Sequence, residues 1–436
     1  MSRWVVLALL GACAAGCGSR SRLLDTGVSA AGAGGASAGG SGGQGGGAWG
    51  GSGGTSVGGA GGAGGLGGVG GGAGAPSCVY ADVALGSSHT CALTANGTVW
   101  CFGANEFGQL GVGVPGSDSA TPQPIAGPSD FVALGAGEYH TSGIRSDGSM
   151  MAWGHNPLGV LGTGTTSDSA LPTPLPGPGS AVALSRGMVL SHACAVHGNG
   201  SVTCWGDNQK GNLGNGGFAP SPTQTQVIGL EDSVAVAVGY IFSCAVQWNG
   251  EVRCWGWNAS AALGIGNMDA KSYPKPVPVP GVFDAVQVVA GNHYACARSS
   301  SGQVHCWGYN GHGQLGIGTN QEHALVPTPV QGLSDAVWLS GGQSHACAVR
   351  KGGTVSCWGR NYFGQLGVGT TLDSYAPVTV VGLTDATRVF AGGEHTCALS
   401  ASQGFSCWGA NESGQLGNGS SEKSLVPSSV LCAEPH

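Results

Sequence analysis

Of 436 residues, 87 are Gly, about three times the ordinary share, and only 8% are charged. That composition excludes a protein of long solvated helices and points to tight turns and close backbone packing. The formal net charge is −7, and from Cys78 onward 21 acidic side chains stand against 12 scattered basic ones. No Lys/Arg stripe of the kind nucleic acid requires is present, so no nucleic-acid partner is expected.

The first 17 residues read as an export signal. A short basic start, Met1-Ser2-Arg3, precedes an apolar run from Trp4 to Ala15 and then Gly16-Cys17, the order of a secretory signal. Ala-Ala-Gly before Cys17 resembles a bacterial lipobox, which would make Cys17 the lipidated first residue of the mature chain. Leu10-Gly11-Ala12-Cys13 offers a second match, and a plainly cleaved signal is the alternative. The run is too short to span a bilayer as a mature helix. Residues 18–77 form a Gly/Ala/Ser-rich linker that cannot bury a core. A coil of roughly 60 such residues has a root-mean-square span of about 40 Å, so the expected arrangement is a folded head on a flexible leash. The expected location is the cell envelope, lipid-anchored, or else the medium.

Residues 78–432 are periodic, followed by a short tail at 433–436. A Trp-Gly pair, Phe-Gly in the first case, places its Gly at 103, 154, 206, 256, 308, 359 and 409. A period near 50 signals a repeat array. Within each repeat two β-prone runs flank a three-residue loop such as Ala95-Asn96-Gly97, with Gly where a positive φ is required. A constant Asn follows the Trp-Gly pair (Asn105 through Asn411), read as a turn residue. Then comes a Gly-Gln-Leu-Gly element, as at Gly108–Gly111, and a Pro-rich strand. No helical period is found. The spacing predicts an all-β, seven-bladed β-propeller closed by its two chain ends.

Setting aside Cys13 and Cys17, fourteen of the 16 cysteines remain. Twelve form pairs ten positions apart across the hairpin: Cys91/Cys101, Cys194/Cys204, Cys244/Cys254, Cys296/Cys306, Cys347/Cys357 and Cys397/Cys407. The second repeat has Ser142 and Ala152 at these places, so both members vanish together, as bonded partners would. A metal site is disfavoured, because the spacing is not that of a zinc knuckle and no further ligands accompany it. Cys78 and Cys432 are left at the two ends of the periodic region, where a disulfide would clasp the ring. For a loop of roughly 350 residues the chain-entropy estimate is on the order of 5 kcal/mol.

The pattern Trp-Gly-x-Asn-x-x-Gly-Gln-Leu-Gly, preceded by Gly-x-x-His-Thr/Ala-Cys-Ala, resembles the RCC1 (regulator of chromosome condensation) repeat over all seven units. The resemblance implies a seven-bladed propeller whose termini meet in one shared blade. It also brings in guanine-nucleotide exchange or another regulatory role as a weaker alternative, since the family includes an exchange factor for a small GTPase. The export signal, the negative charge and the lack of a basic tail argue against transferring that activity. The disulfide pairs depart from the intracellular members and fit an extracytoplasmic one.

Five repeats carry His two places before the first Cys position (His89, His140, His192, His345, His395), with Phe242 and Tyr294 in the other two. Because aromatic rings substitute for it, packing with a backbone hydrogen bond explains this His better than catalysis or metal binding does. No paired carboxylates, nucleophile elbow or cofactor motif stands out, so the expectation is a protein that is not an enzyme and has no cofactor or metal. Variable positions after Trp-Gly share one place in the repeat. In blades four to six they bring Trp257, Tyr309, His312, Arg360, Tyr362 and Phe363 to one face, and these are residue types that dominate binding hot spots. The expected function is a monomeric binding propeller that engages an unidentified protein partner there. A glycan-binding or glycan-active propeller is the alternative, and membrane contact is expected only through the N-terminal anchor.

Overall fold

The computed structural model describes residues 79–187, 192–402 and 404–432. The expected signal, Cys17, the linker at 18–77, Cys78 and the tail at 433–436 lie outside them. The described chain forms seven four-stranded antiparallel sheets, each built from four consecutive strands. In blade 1 these are β1 (Tyr80–Leu85), β2 (His89–Thr94), β3 (Val99–Gly103) and β4 (Ser119–Pro124). The remaining blades begin at Phe131, Ala181, Ser233, Ala285, Ala336 and Ala386. First strands of successive blades pack on one another around the axis, so β1 and its counterparts line the central channel. The outer strands are mostly half-buried or exposed, as Ser119–Pro124 and Ser169–Pro174 are.

The hairpin reading is borne out residue by residue. Cys91 stands directly opposite Cys101, Cys194 opposite Cys204 and Cys244 opposite Cys254. Cys296 likewise faces Cys306, Cys347 faces Cys357 and Cys397 faces Cys407. All six pairs are disulfides with Cα atoms 4.0–4.1 Å apart, the close approach of non-hydrogen-bonded antiparallel pairs. In blade 2, Ser142 and Ala152 occupy the same register without a bond. Six buried disulfides mark a chain that matures in an oxidising compartment. Cys432 is also disulfide-bonded. Its expected partner, Cys78, falls outside the described residues.

One expectation fails. No described blade is assembled from both ends of the chain; each is one contiguous segment. The first described strand is the inner strand of blade 1 and the last, Ser424–Ser429, is the outer strand of blade 7, so the ring closes at a boundary between blades. Blade 7 docks on blade 1 through Arg388, whose Nη1 donates to the Ala81 carbonyl at 2.9 Å. Tyr80 packs on Phe405 with ring centroids 5.1 Å apart.

The repeat signature is largely inter-blade machinery. The six repeated tryptophans are fully buried, and each donates its indole N–H to a carbonyl in the loop of the preceding blade, as Trp153 Nε1 does to Gln109 at 3.0 Å. The last Gly of Gly-Gln-Leu-Gly is what lets this loop approach. A Cβ on Gly111 would lie 2.8 Å from Trp153 Nε1, and its φ is +70°. The constant Asn works through its side chain, not through a left-handed backbone, which no described Asn adopts. Asn361 Oδ1 accepts from Leu366 N at 2.9 Å while its Nδ2 donates to the Thr370 and Leu372 carbonyls, pinning the long loop at both ends.

Strand alternation gives the disc two faces. The first-to-second and third-to-outer connections emerge on one, the long-loop face. The tight hairpins and blade-to-blade connections emerge on the other, the hairpin face.

Candidate functional site

The repeated histidines belong to the scaffold. His89 Nε2 lies 2.9 Å from Thr141 Oγ1 of the next blade, and that hydroxyl donates to the Gln109 carbonyl at 3.1 Å. With the hydroxyl proton spent there, His89 must donate from Nε2, leaving its Nδ1 as a buried acceptor with no hydrogen-bond partner. The same relay joins His192 to Ser243, His345 to Thr396 and, across the ring closure, His395 to Thr90. The packing expectation holds, and for four of the five histidines the side-chain partner is a hydroxyl of the neighbouring blade. Where the ring is Phe242 or Tyr294, the facing residue is Ala295 or Ala346. His140 faces Ala193. Burial holds His89, His140, His345 and His395 down to about 3, and His192 to about 4, so all five are neutral at physiological pH. Among the described residues no group of three or more His, Cys, Asp or Glu is placed to hold a metal.

The six candidate binding residues all sit on the long-loop face, but as separate small groups. Arg360, Tyr362 and Phe363 share one loop of blade 6. Tyr362 is 63% exposed and meets Phe363 edge-on at 4.9 Å, while the Arg360 guanidinium lies 5.9 Å over the Tyr362 ring. His312, from blade 5, reaches the same loop through Asp373 at 3.1 Å. Tyr309 instead packs on His323 at 5.4 Å. Trp257 is half-buried, donates to the Ala270 carbonyl at 3.1 Å, and carries Lys210 of blade 3 over its ring. Arg360, Tyr362, Phe363 and His312 therefore form one patch, and Tyr309 and Trp257 stand apart from it.

Two contributions to this face were not seen in the sequence. The first-to-second strand connections add an inner ring of residues immediately before the repeated His position: Tyr139, Ile241, His293 and Glu394. Glu394 pairs with Arg360 at 2.7 Å, and burial pushes its carboxyl up to about 7 despite that partner, with Glu412 adding to the rise. Between blades 1 and 2 Phe107 stacks on His155 at 4.1 Å and tilts against Tyr139. The second contribution is a set of apolar tips on the long loops: Val114, Phe218, Met268 and Leu372 are between 48% and 76% exposed. Their signal was available, as large apolar residues in the middle of Gly-rich, otherwise polar loops.

The RCC1 repeat model (regulator of chromosome condensation) matches residues 96–144, 199–246, 249–298, 301–349 and 352–399, more than half of the chain. A companion model of the same repeat matches 80–109, 285–314 and 386–415. The chain belongs to the RCC1 repeat family. Among RCC1-repeat relatives, the ultraviolet-B receptor UVR8 of Arabidopsis thaliana is 32% identical over 302 residues, which cover 68% of this chain and 68% of UVR8. The E3 ubiquitin-protein ligase HERC2 of Homo sapiens is 29% identical over 316 residues, but these span only 6% of HERC2. In structure this RCC1-repeat propeller is similar to yeast RCC1 (Prp20), solved bound to Kap60, with a TM-score of 0.68 and 19% identity over 77% of this chain and 84% of that one. Human WBSCR16 gives 0.68 and 22% over 77% and 93%. At these identities both show the fold alone.

Proposed function

We propose that this RCC1-repeat chain is an exported, non-enzymatic binding propeller that engages a protein partner through its long-loop face. The observation that carries the reading is the gathering, on that one face, of the Arg360–Tyr362–Phe363 patch, in which Tyr362 is exposed, and the exposed apolar tips Val114, Phe218, Met268 and Leu372. Exposed apolar side chains interspersed with Arg and aromatic anchors are the surface chemistry of protein interfaces. Protein binding is also stated for relatives of the same fold. Yeast Prp20 was solved bound to Kap60 and is described in terms of binding Gsp1p and histones. Export is supported by the disulfides and by the signal-like start, with Cys17 as the lipidated residue and a Cys78–Cys432 bond as the ring clasp. A glycan ligand has no specific observation on this face to favour it.

Cross-linked capture from envelope extract, using the full chain and the variant Tyr362→Ala/Phe363→Ala, tests the reading, with Phe283→Ala on the hairpin face as control. A protein retained by the parent and the control but lost from the double variant is the expected result. Equal capture by all three would overturn the choice of face. Non-reducing peptide mapping in which Cys432 is joined to a cysteine other than Cys78 would overturn the clasp.

A further inference from the structure

The hairpin face holds a cavity that the binding reading above does not use. It measures about 950 Å³ and opens at the mouth of the central channel beside blades 1–4, with Ala133, Ala183, Val182, Trp248, Asp82 and Arg388 among its lining residues. Its origin is a single register position. The third residue of each first strand faces the channel, just past a β-bulge at the second, and reads Asp82, Ala133, Ala183, Ala235, Gln287, Trp338 and Arg388 round the ring. Four large side chains fill one side, and the small Ala133 and Ala183 leave room on the other. The bulged second residues, Val132 and Val182, are 58% and 50% exposed at the rim, and Trp248 is 67% exposed on the hairpin of blade 4.

The polar side of the cavity is more particular. Asp82 is buried, with only 6% of its surface exposed. Its Oδ2 accepts from Arg186 and from Leu134 N, yet its Oδ1 has no hydrogen-bond partner. Arg388 Nη1 lies 3.8 Å from that oxygen. A buried carboxylate oxygen left unpaired is costly, and a bound donor would satisfy it. Charge narrows the ligand. Asp82 already lies between Arg186 and Arg388, so a third cation gains little. An anion would meet Asp82, Asp147 and Asp232 against one lining guanidinium, Arg388, because Arg145 is held bidentate by Asp130.

We propose that this cavity is a second ligand site for a small, neutral, amphipathic molecule. Its apolar body packs on the alanines and valines of blades 2 and 3, and a carboxamide-type head offers an N–H to Asp82 Oδ1 and a carbonyl to Arg388. A volume near the top of the usual 300–1,000 Å³ range for ligand pockets admits a drug-sized molecule. The site lies on the face opposite the protein-binding patch, so the two assignments stand or fall separately.

The test uses ligand-observed NMR titration of the full chain with N-acetyl-leucinamide, and with N-acetyl-leucine and leucinamide as its anionic and cationic analogues. So small a probe is expected to bind with a Kd in the millimolar range, about 1–10 mM, and each charged analogue at least fivefold more weakly. Ala183→Trp copies Trp338 at the same register and should weaken the neutral probe tenfold or more, whereas Tyr362→Ala should leave its affinity unchanged. If Ala183→Trp does not fold, Ala133→Gln, which copies Gln287, makes the same comparison. Absence of saturable binding to the parent, equal binding by the filled variant, or equal binding of the three probes would overturn the proposal.

Discussion

Replacing Thr141 by Val removes one hydroxyl from the junction between blades 1 and 2 while keeping its shape. In the parent, Thr141 Oγ1 accepts from His89 Nε2 at 2.9 Å and donates to Gln109 O at 3.1 Å. Gln109 O keeps its second donor, Trp153 Nε1 at 3.0 Å, so the substitution orphans a single buried group, the His89 N–H. Leaving such a donor unpaired costs about 1–3 kcal/mol, and Thr141→Val should destabilise by about 2 kcal/mol. His89→Phe removes that donor along with the Nδ1 that already lacks a partner, and copies the Phe242/Ala295 junction found elsewhere in the ring. In the His89→Phe background the further change at Thr141 should therefore cost under about 0.5 kcal/mol, a coupling of about 1.5 kcal/mol between the two sites. Guanidinium unfolding of the oxidised protein, read as midpoint shifts at constant m, measures all four corners of the cycle. Strict additivity of the two substitutions would refute the relay.

Acid should act through the same histidines. Their folded pKa values, about 3 to 4, lie below the unfolded value of about 6.5, so on unfolding below pH 6.5 each takes up a proton. Their stabilisation is complete above pH 6.5 and is lost as pH falls towards 4, at up to about 7 kcal/mol per pH unit for five groups. Replacing His140 with Phe should reduce that slope by about one fifth in pH-dependent unfolding. Glu394 has the opposite sense, with a folded pKa raised to about 7. Between about pH 4.5 and 7 the folded state holds a proton that the unfolded state lacks, so this contribution disappears as pH rises through 7. The charge next to Arg360 changes in the same window, and Glu394→Gln should flatten the pH dependence of partner binding between pH 6 and 8. Ala261 holds a φ of +56° where other repeats place Gly. Because a left-handed Ala costs about 1–2 kcal/mol, Ala261→Gly should raise the unfolding midpoint by the equivalent of up to about 1 kcal/mol. Phe102 occupies the Trp position at the ring closure. Phe102→Trp should gain about 1 kcal/mol by donating to the Gln415 carbonyl that Thr90 already uses, as Trp153 and Trp408 do to the equivalent carbonyls, and unfolding midpoints measure it.

The sequence carried the repeat number, the hairpins and the disulfides because each of these is local, fixed by one turn and a ten-residue spacing. It did not carry the phase of the blades. A circular pattern has no intrinsic start, and whether the ends share a blade depends on which strand faces the axis, a tertiary fact. The hairpin-face cavity was hidden for the same reason. Ala133 and Ala183 look like any core alanine until their strands are known to line the channel, and only then does their contrast with Gln287, Trp338 and Arg388 acquire a meaning. The Arg360–Tyr362–Phe363 patch was legible because its residues fall within four positions of one loop. Its partner Glu394 was not, since it lies in a different loop of the next blade and beside a His that draws attention first.

The closure of the ring by an ordinary junction has a consequence for how the two faces are built. Blade 7 meets blade 1 through the same His-to-hydroxyl-to-carbonyl relay, His395 to Thr90 to Gln415, that joins blades 1 and 2. Every junction is thus held by groups inside the disc: a buried ring, the hydroxyl or Ala opposite it, the Trp or Phe102, and a Gly-based loop. None of the residues that carry the site chemistry takes part in that relay; Tyr362, Trp248 and Val182 all lie at loop tips or the channel rim. Substitution there leaves the inter-blade bonds intact. Asp82 and Arg388 are the exception, since they both line the hairpin-face cavity and bridge neighbouring blades. Elsewhere a scaffold of this kind can change what it binds without changing what holds it together, which is why the constant residues of the repeat report its stability and the variable ones report its function.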